Sequence, residues 1–130
     1  MKNQISFITG LFDSDETNPQ AKNDGHLGED LAKWLVEKSK GSEFQFGVPF
    51  QQDWGWTDVA EANGEKFILR FGILDGSVGA DYADWRITIE KERKWKFLGA
   101  KDSPSRGRLC DLIHNILRDE GQIREVHWSE

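Results

Sequence analysis

Asp53-Trp54-Gly55-Trp56 sets a carboxylate ahead of two indoles that flank a glycine, and Asp58 and Arg70 follow closely enough to serve the same surface. Indoles and guanidinium groups are the side chains most enriched where binding energy concentrates, and a neighbouring carboxylate would add a polar determinant for a ligand or partner. Asp53, Trp54, Trp56, Asp58 and Arg70 are therefore the candidate binding residues. The same indoles could serve packing alone, with both facing the core and Gly55 allowing a bend or bulge where another backbone comes close.

No group of residues is spaced for bond-making. Cys110 or a serine would need a base beside it, and His26, His114 and His127 belong to neither a nucleophile elbow nor a cysteine-enzyme motif. One cysteine and three scattered histidines offer no paired zinc-ligand spacing. Asp13-x-Asp15-x-Thr17 opens like a calcium loop, but Asn18 stands where the sixth-place glycine is required and Asp24 where the twelfth-place Glu is. The run Asp75-Gly76-Ser77-Val78-Gly79-Ala80-Asp81 has no lysine and no helix after it, and its aspartates would repel a phosphate. No catalytic residue, metal ligand or cofactor is expected, and a non-enzymatic role is preferred.

The elements that would carry these residues follow from periodicity. Residues 5–12 alternate as a first strand, and the polar run Asp13–Asp24, with Asn18-Pro19, is a long loop. Leu27, Leu31, Trp34 and Leu35 form one helical stripe, with Asp24 as cap, Glu29 and Asp30 at the positive end of the helix dipole, and Gly41 as the stop. Phe44, Phe46, Val48 and Phe50 occupy alternate positions and predict a strand with one aromatic face, which Pro49 pushes toward a sheet edge.

Asn63-Gly64 predicts a two-residue type I′ hairpin, which sets Ala62 opposite Glu65, Ala60 opposite Phe67, Asp58 opposite Leu69, Trp56 opposite Phe71 and Trp54 opposite Ile73. One face is then aromatic with Asp58 in its midst, so that carboxylate must be hydrogen-bonded or the register must differ. The other face carries Thr57 against Arg70 and Val59 against Ile68. Trp85, Ile87 and Ile89 mark another strand, with Lys94–Leu98 as a short hairpin partner. Ser103-Pro104 starts a second helix, striped by Leu109, Leu112, Ile113, Ile116 and Leu117 and ended by Gly121, before a last strand from Gln122 to Trp128. The order β-α-β-β-β-β-β-α-β predicts one α+β domain spanning residues 1–130, with two helices on one face of a mainly antiparallel sheet of five to seven strands.

Composition limits the partners. The 130 residues carry a net charge of −6, which argues against general affinity for nucleic acid. Residues 1–65 hold 5 basic and 12 acidic side chains, whereas residues 86–108 hold 8 basic and 3 acidic. Lys94-Trp95-Lys96-Phe97 in the basic stretch could stack single-stranded bases, but a strand with rings inward and lysines outward has the same spelling. No apolar run approaches the roughly 20 residues that span a bilayer. A lone Cys110 inside an apolar helical pattern points to a reducing, cytoplasmic setting.

Asn18-Pro19, Gly28-Glu29-Asp30-Leu31-Ala32-Lys33-Trp34-Leu35 and Gln52-Asp53-Trp54-Gly55-Trp56 together resemble a group of small uncharacterised bacterial proteins. In that group an Asn-Pro loop precedes an Ala-x-Trp-Leu helix and then a Glu-Asp-Trp-Gly-Trp segment. The resemblance covers the first half of the chain; Gln52 replaces the Glu, and thirteen residues separate Pro19 from Lys33-Trp34. It implies a bacterial origin and no activity. Two functional classes remain: an acidic protein-interaction module, comparable to the small immunity proteins that neutralise basic toxins, which is preferred; and a small-molecule binder or enzyme using an aromatic groove near Asp53–Trp56.

Overall fold

Asn63 and Gly64 both adopt positive φ, 54° and 78°, and so form the tight turn that only such residues accommodate without strain. From this turn the chain pairs in the register that the sequence predicts, from Ala62↔Glu65 through Asp58↔Leu69 to Trp56↔Phe71. A computed structural model describes residues 3–12, 28–52, 55–73, 83–91 and 104–129. Its elements are β1 (Gln4–Thr9), α1 (Glu29–Lys38), β2 (Gln45–Phe46), β3 (Phe50–Gln52), β4 (Gly55–Ala62), β5 (Glu65–Ile73), β6 (Ala83–Lys91), α2 (Pro104–Asp119) and β7 (Ile123–Ser129).

All seven strands join one antiparallel sheet in the spatial order β2-β4-β5-β6-β1-β7, and β3 continues the β2 edge along β4. The element string is the one expected, but its partition is different. The run from Phe44 to Phe50 divides into two short strands, and the proposed Lys94–Leu98 strand lies outside the described residues, as do the loops Asp13–Asp24 and Asp75–Asp81.

Alternation puts Trp56, Ala60, Phe67, Leu69, Phe71, Trp85, Ile87, Ile89, Ile5 and Phe7 on one sheet face, where all are buried. Both helices cover that face. From α1 come Leu31, Ala32 and Leu35, and from α2 come Leu109, Ile113 and Leu117, spaced i, i+4, i+8. Phe12, just beyond β1, packs edge-on against Trp34 at 5.4 Å and Trp85 at 5.8 Å between ring centroids, tying helix to sheet. Cys110 is buried within α2.

One local expectation is corrected. The N-cap of α1 is Gly28 at φ 127°, with no side-chain cap, in place of Asp24. A Cβ there would stand 3.4 Å from the Phe71 carbonyl oxygen, in ordinary contact, so the helix start rests on β5 and it is the positive φ that favours glycine. His114, half-buried on the flank of α2, accepts a hydrogen bond from Trp128 Nε1 at 3.1 Å and stacks on that ring, fastening α2 to β7.

Leu69 and Ile68 are adjacent on β5 but face opposite ways, the first fully buried and the second half-buried on the face away from the helices. Leu69→Ala should cost about 2–5 kcal/mol in urea unfolding, with Ile68→Ala well below that range. Equal losses would contradict the assignment of the covered face.

Candidate functional site

Of the predicted binding residues, Trp56 and Asp58 lie on the helix-covered face and Arg70 on the opposite one. Asp53 and Trp54 fall outside the described residues. Trp56 is buried in the core, and the backbone before it comes close to β5 as the packing alternative requires: Gly55 has φ 138°, and a Cβ there would stand 3.2 Å from the Phe71 carbonyl oxygen. Arg70 pairs with Glu90 across β6 on the open face, a partly exposed ion pair of modest energetic weight. The sheet itself thus separates Asp58 from Arg70, and the two cannot converge on one groove ligand.

Asp58 is fully buried, opposite Leu69. Its Oδ1 accepts the Val59 N–H at 2.7 Å, and the carboxylate also accepts the Gly47 N–H, while Oδ2 has no donor among the described residues. Burial raises its pKa from 3.8 to about 6, against the lowering effect of these two amide bonds. The expected satisfaction of this carboxylate is therefore met at one oxygen.

The Gly47 amide explains why the carboxylate sits there. Phe46 pairs with Ala60 and Phe50 with Thr57, so four steps on the edge oppose three on β4, and one extra residue forms a bulge between β2 and β3. Gly47 bridges the gap, donating to the Val59 carbonyl at 3.0 Å as well as to Asp58. A Cβ on Gly47 would lie 3.4 Å from Asp58 Oδ1, in ordinary contact, so the carboxylate sits beside this backbone.

The bulge also overturns the single aromatic face expected for Phe44–Phe50. Phe44 is buried and Phe46 half-buried on the core side, but the extra residue inverts the parity and turns Phe50 to the open face. Val48 is 84% exposed and Phe50 40%, the two large hydrophobic side chains left exposed among the described residues. Neither was among the predicted site residues. The signal available was Gly47, since a glycine inside an alternating run marks a bulge.

Beside Phe50, Thr57 is nearly inaccessible although it lies on the open face, and its Oγ1 has no hydrogen-bond partner among the described residues. No group of His, Cys, Asp and Glu able to hold a metal ion occurs among the described residues, and no described helix is long and apolar enough to cross a membrane.

Because the pKa of Asp58 is higher folded than unfolded, its contribution to stability is fully present below about pH 4 and is lost as pH rises through about 6. The change is on the order of 3 kcal/mol. Urea unfolding across pH 4–8 should show wild-type stability falling relative to Asp58→Asn by this order; a constant difference would mean that the carboxyl titrates normally. Comparison with protein-family models, with curated proteins and with solved structures finds no match for this chain.

Proposed function

We propose that this chain is a protein-binding module whose contact surface is the β2–β3 edge, carried by Val48 and Phe50. The observation behind it is their exposure two positions apart along the edge, Val48 in the link between β2 and β3 and Phe50 opening β3: a hydrophobic pair that folding leaves uncovered is suited to filling a pocket on another protein. Val59 and Ile68, half-buried on the open face next to Thr57, extend the apolar strip inward from Phe50.

The partner is a basic protein. The chain carries −6 overall, with 12 acidic against 5 basic side chains in residues 1–65, which include the edge, so a positively charged partner would be drawn to this half and find the apolar pair within it. Asp58 and Arg70, on opposite faces, favour this surface over a groove that would use both. The buried lone Cys110 is compatible with action in the cytoplasm, where such a thiol stays reduced.

Recognition runs through side chains more than through strand addition. Pro49 has no N–H to offer, and the Gly47 N–H is already turned inward, so the donor row of the edge is broken at its centre.

Affinity capture from the native host tests this with wild type and a Val48→Ser/Phe50→Ser variant, whose exposed changes should leave folding intact. Wild type should retain a stoichiometric basic protein in a salt-sensitive manner, and the variant should bind it at least about 30-fold more weakly, the loss expected for a hot spot of about 2 kcal/mol. A partner held equally by both proteins would refute the edge as the contact surface.

A further inference from the structure

Asp58 lies directly behind the segment that carries Val48 and Phe50. Its carboxylate holds the amide of Gly47, the residue immediately before Val48, and it is fully buried on the helix-covered face, where the other buried charged side chain among the described residues is Arg106 of α2. Resting on the edge as contact surface, we propose that Asp58 is a proton-controlled latch on that edge: the neutral acid keeps the Gly47 bulge closed, and the carboxylate loosens it, so proton concentration sets how firmly Val48 and Phe50 are presented.

The surroundings leave ionisation little support. On β4 itself Trp56 and Ala60 flank the group, on β5 Leu69 stands opposite between Phe67 and Phe71, and from β2 Phe46 shares its face. The buried side chains of α1 are Leu31, Ala32 and Leu35, while Glu29 and Lys33 pair with each other at 2.8 Å away from the core. Glu43, between α1 and β2, is taken by Arg108 at 3.0 Å. Arg106, the buried cation of α2, directs Nη1 to the Ile89 carbonyl at 3.4 Å, and what opposes the desolvation of the Asp58 carboxylate is two backbone amides.

An ionised Asp58 gains by reaching water, and the least costly opening that admits water is detachment of the edge. β2 and β3 contribute two and three residues to the ladder on that side of β4, whereas β5 contributes seven paired residues on the other. Opening the edge breaks the Gly47–Val59 hydrogen bond and exposes Oδ1 and Oδ2 together. The carboxyl ionises at about pH 6, where a change of a few tenths of a pH unit shifts its population.

Amide hydrogen exchange followed residue by residue by NMR, with the Asp58 carboxyl carbon titrated in parallel, tests this on the isolated protein and needs no partner. Protection of Gly47, after correction for the intrinsic rate at each pH, should fall about tenfold or more between pH 4.5 and 7.5 along the Asp58 titration, while Leu69 stays protected; linkage allows up to about 100-fold for a displacement of two units. In Asp58→Asn the protection of Gly47 should not vary with pH. Protection that is flat in wild type, or that falls equally in Asp58→Asn, overturns the latch, as does a carboxyl titrating near 4; if Asp58→Asn does not fold, the wild-type profile decides. A flat profile leaves the Val48–Phe50 contact standing, whereas a partner indifferent to Val48→Ser/Phe50→Ser removes that contact and leaves the latch.

Discussion

The parity of β4 governs both faces of this sheet. The positive-φ pair Asn63-Gly64 closes a two-residue turn, and from there each residue of β4 and β5 is committed to one side. A slip of one position would bring Thr57, Val59 and Glu61 beneath the helices and expel Trp56 and Ala60. The apolar cost of that exchange locks the register, and the register in turn forces Asp58 inward among rings and leucines. A buried carboxylate is thus a consequence of the hairpin and needs a local remedy.

The remedy comes from the neighbouring edge. In a regular strand over residues 44–52 alternate amides would pair with the β4 backbone and the others would point away from it, leaving nothing for Asp58. One extra residue between Phe46 and Phe50 lets the Gly47 N–H serve both the Val59 carbonyl and the carboxylate. The same insertion inverts the strand, so Val48 and Phe50, which an uninterrupted alternation would bury with Phe44 and Phe46, are turned outward. Partial satisfaction of one buried carboxyl group and exposure of two apolar side chains are thus a single structural event.

What the sequence made legible follows the range of the interactions involved. The hairpin register depends on two adjacent residues and is readable from Asn63-Gly64; the stripe Leu109–Ile113–Leu117 and the alternation Trp85–Ile87–Ile89 depend on spacing within one element and are readable likewise. The cap of α1 was not, because Gly28 takes a positive φ where the helix start rests against Phe71, forty-three positions away in the chain. The pairing of His114 with Trp128 needs α2 laid over β7. The bulge depends on Asp58 and Val59 in another strand, so a pattern that counts only the parity of Phe44, Phe46, Val48 and Phe50 carries the wrong face past Gly47. Asp58 was readable as a buried problem from its own hairpin, but its solution lay in a different one; Arg70 was readable as the opposite face and no further.

An edge with two exposed hydrophobic side chains would ordinarily invite strands of other copies to add. Here the bulge works against that outcome, because an added strand would have to follow a line of donors interrupted at Gly47 and absent at Pro49, on pairing segments of two and three residues. What remains available is the pair of side chains, which a pocket can accept without continuing the ladder. The geometry that accommodates Asp58 therefore also narrows what can bind at this edge, from any extended segment to a surface shaped to receive a valine and a phenylalanine one residue apart. In the proposed complex, hydrophobic contact and electrostatic attraction would act at different ranges: the acidic character of residues 1–65 would draw a basic surface near, and the two apolar side chains would discriminate once it had arrived.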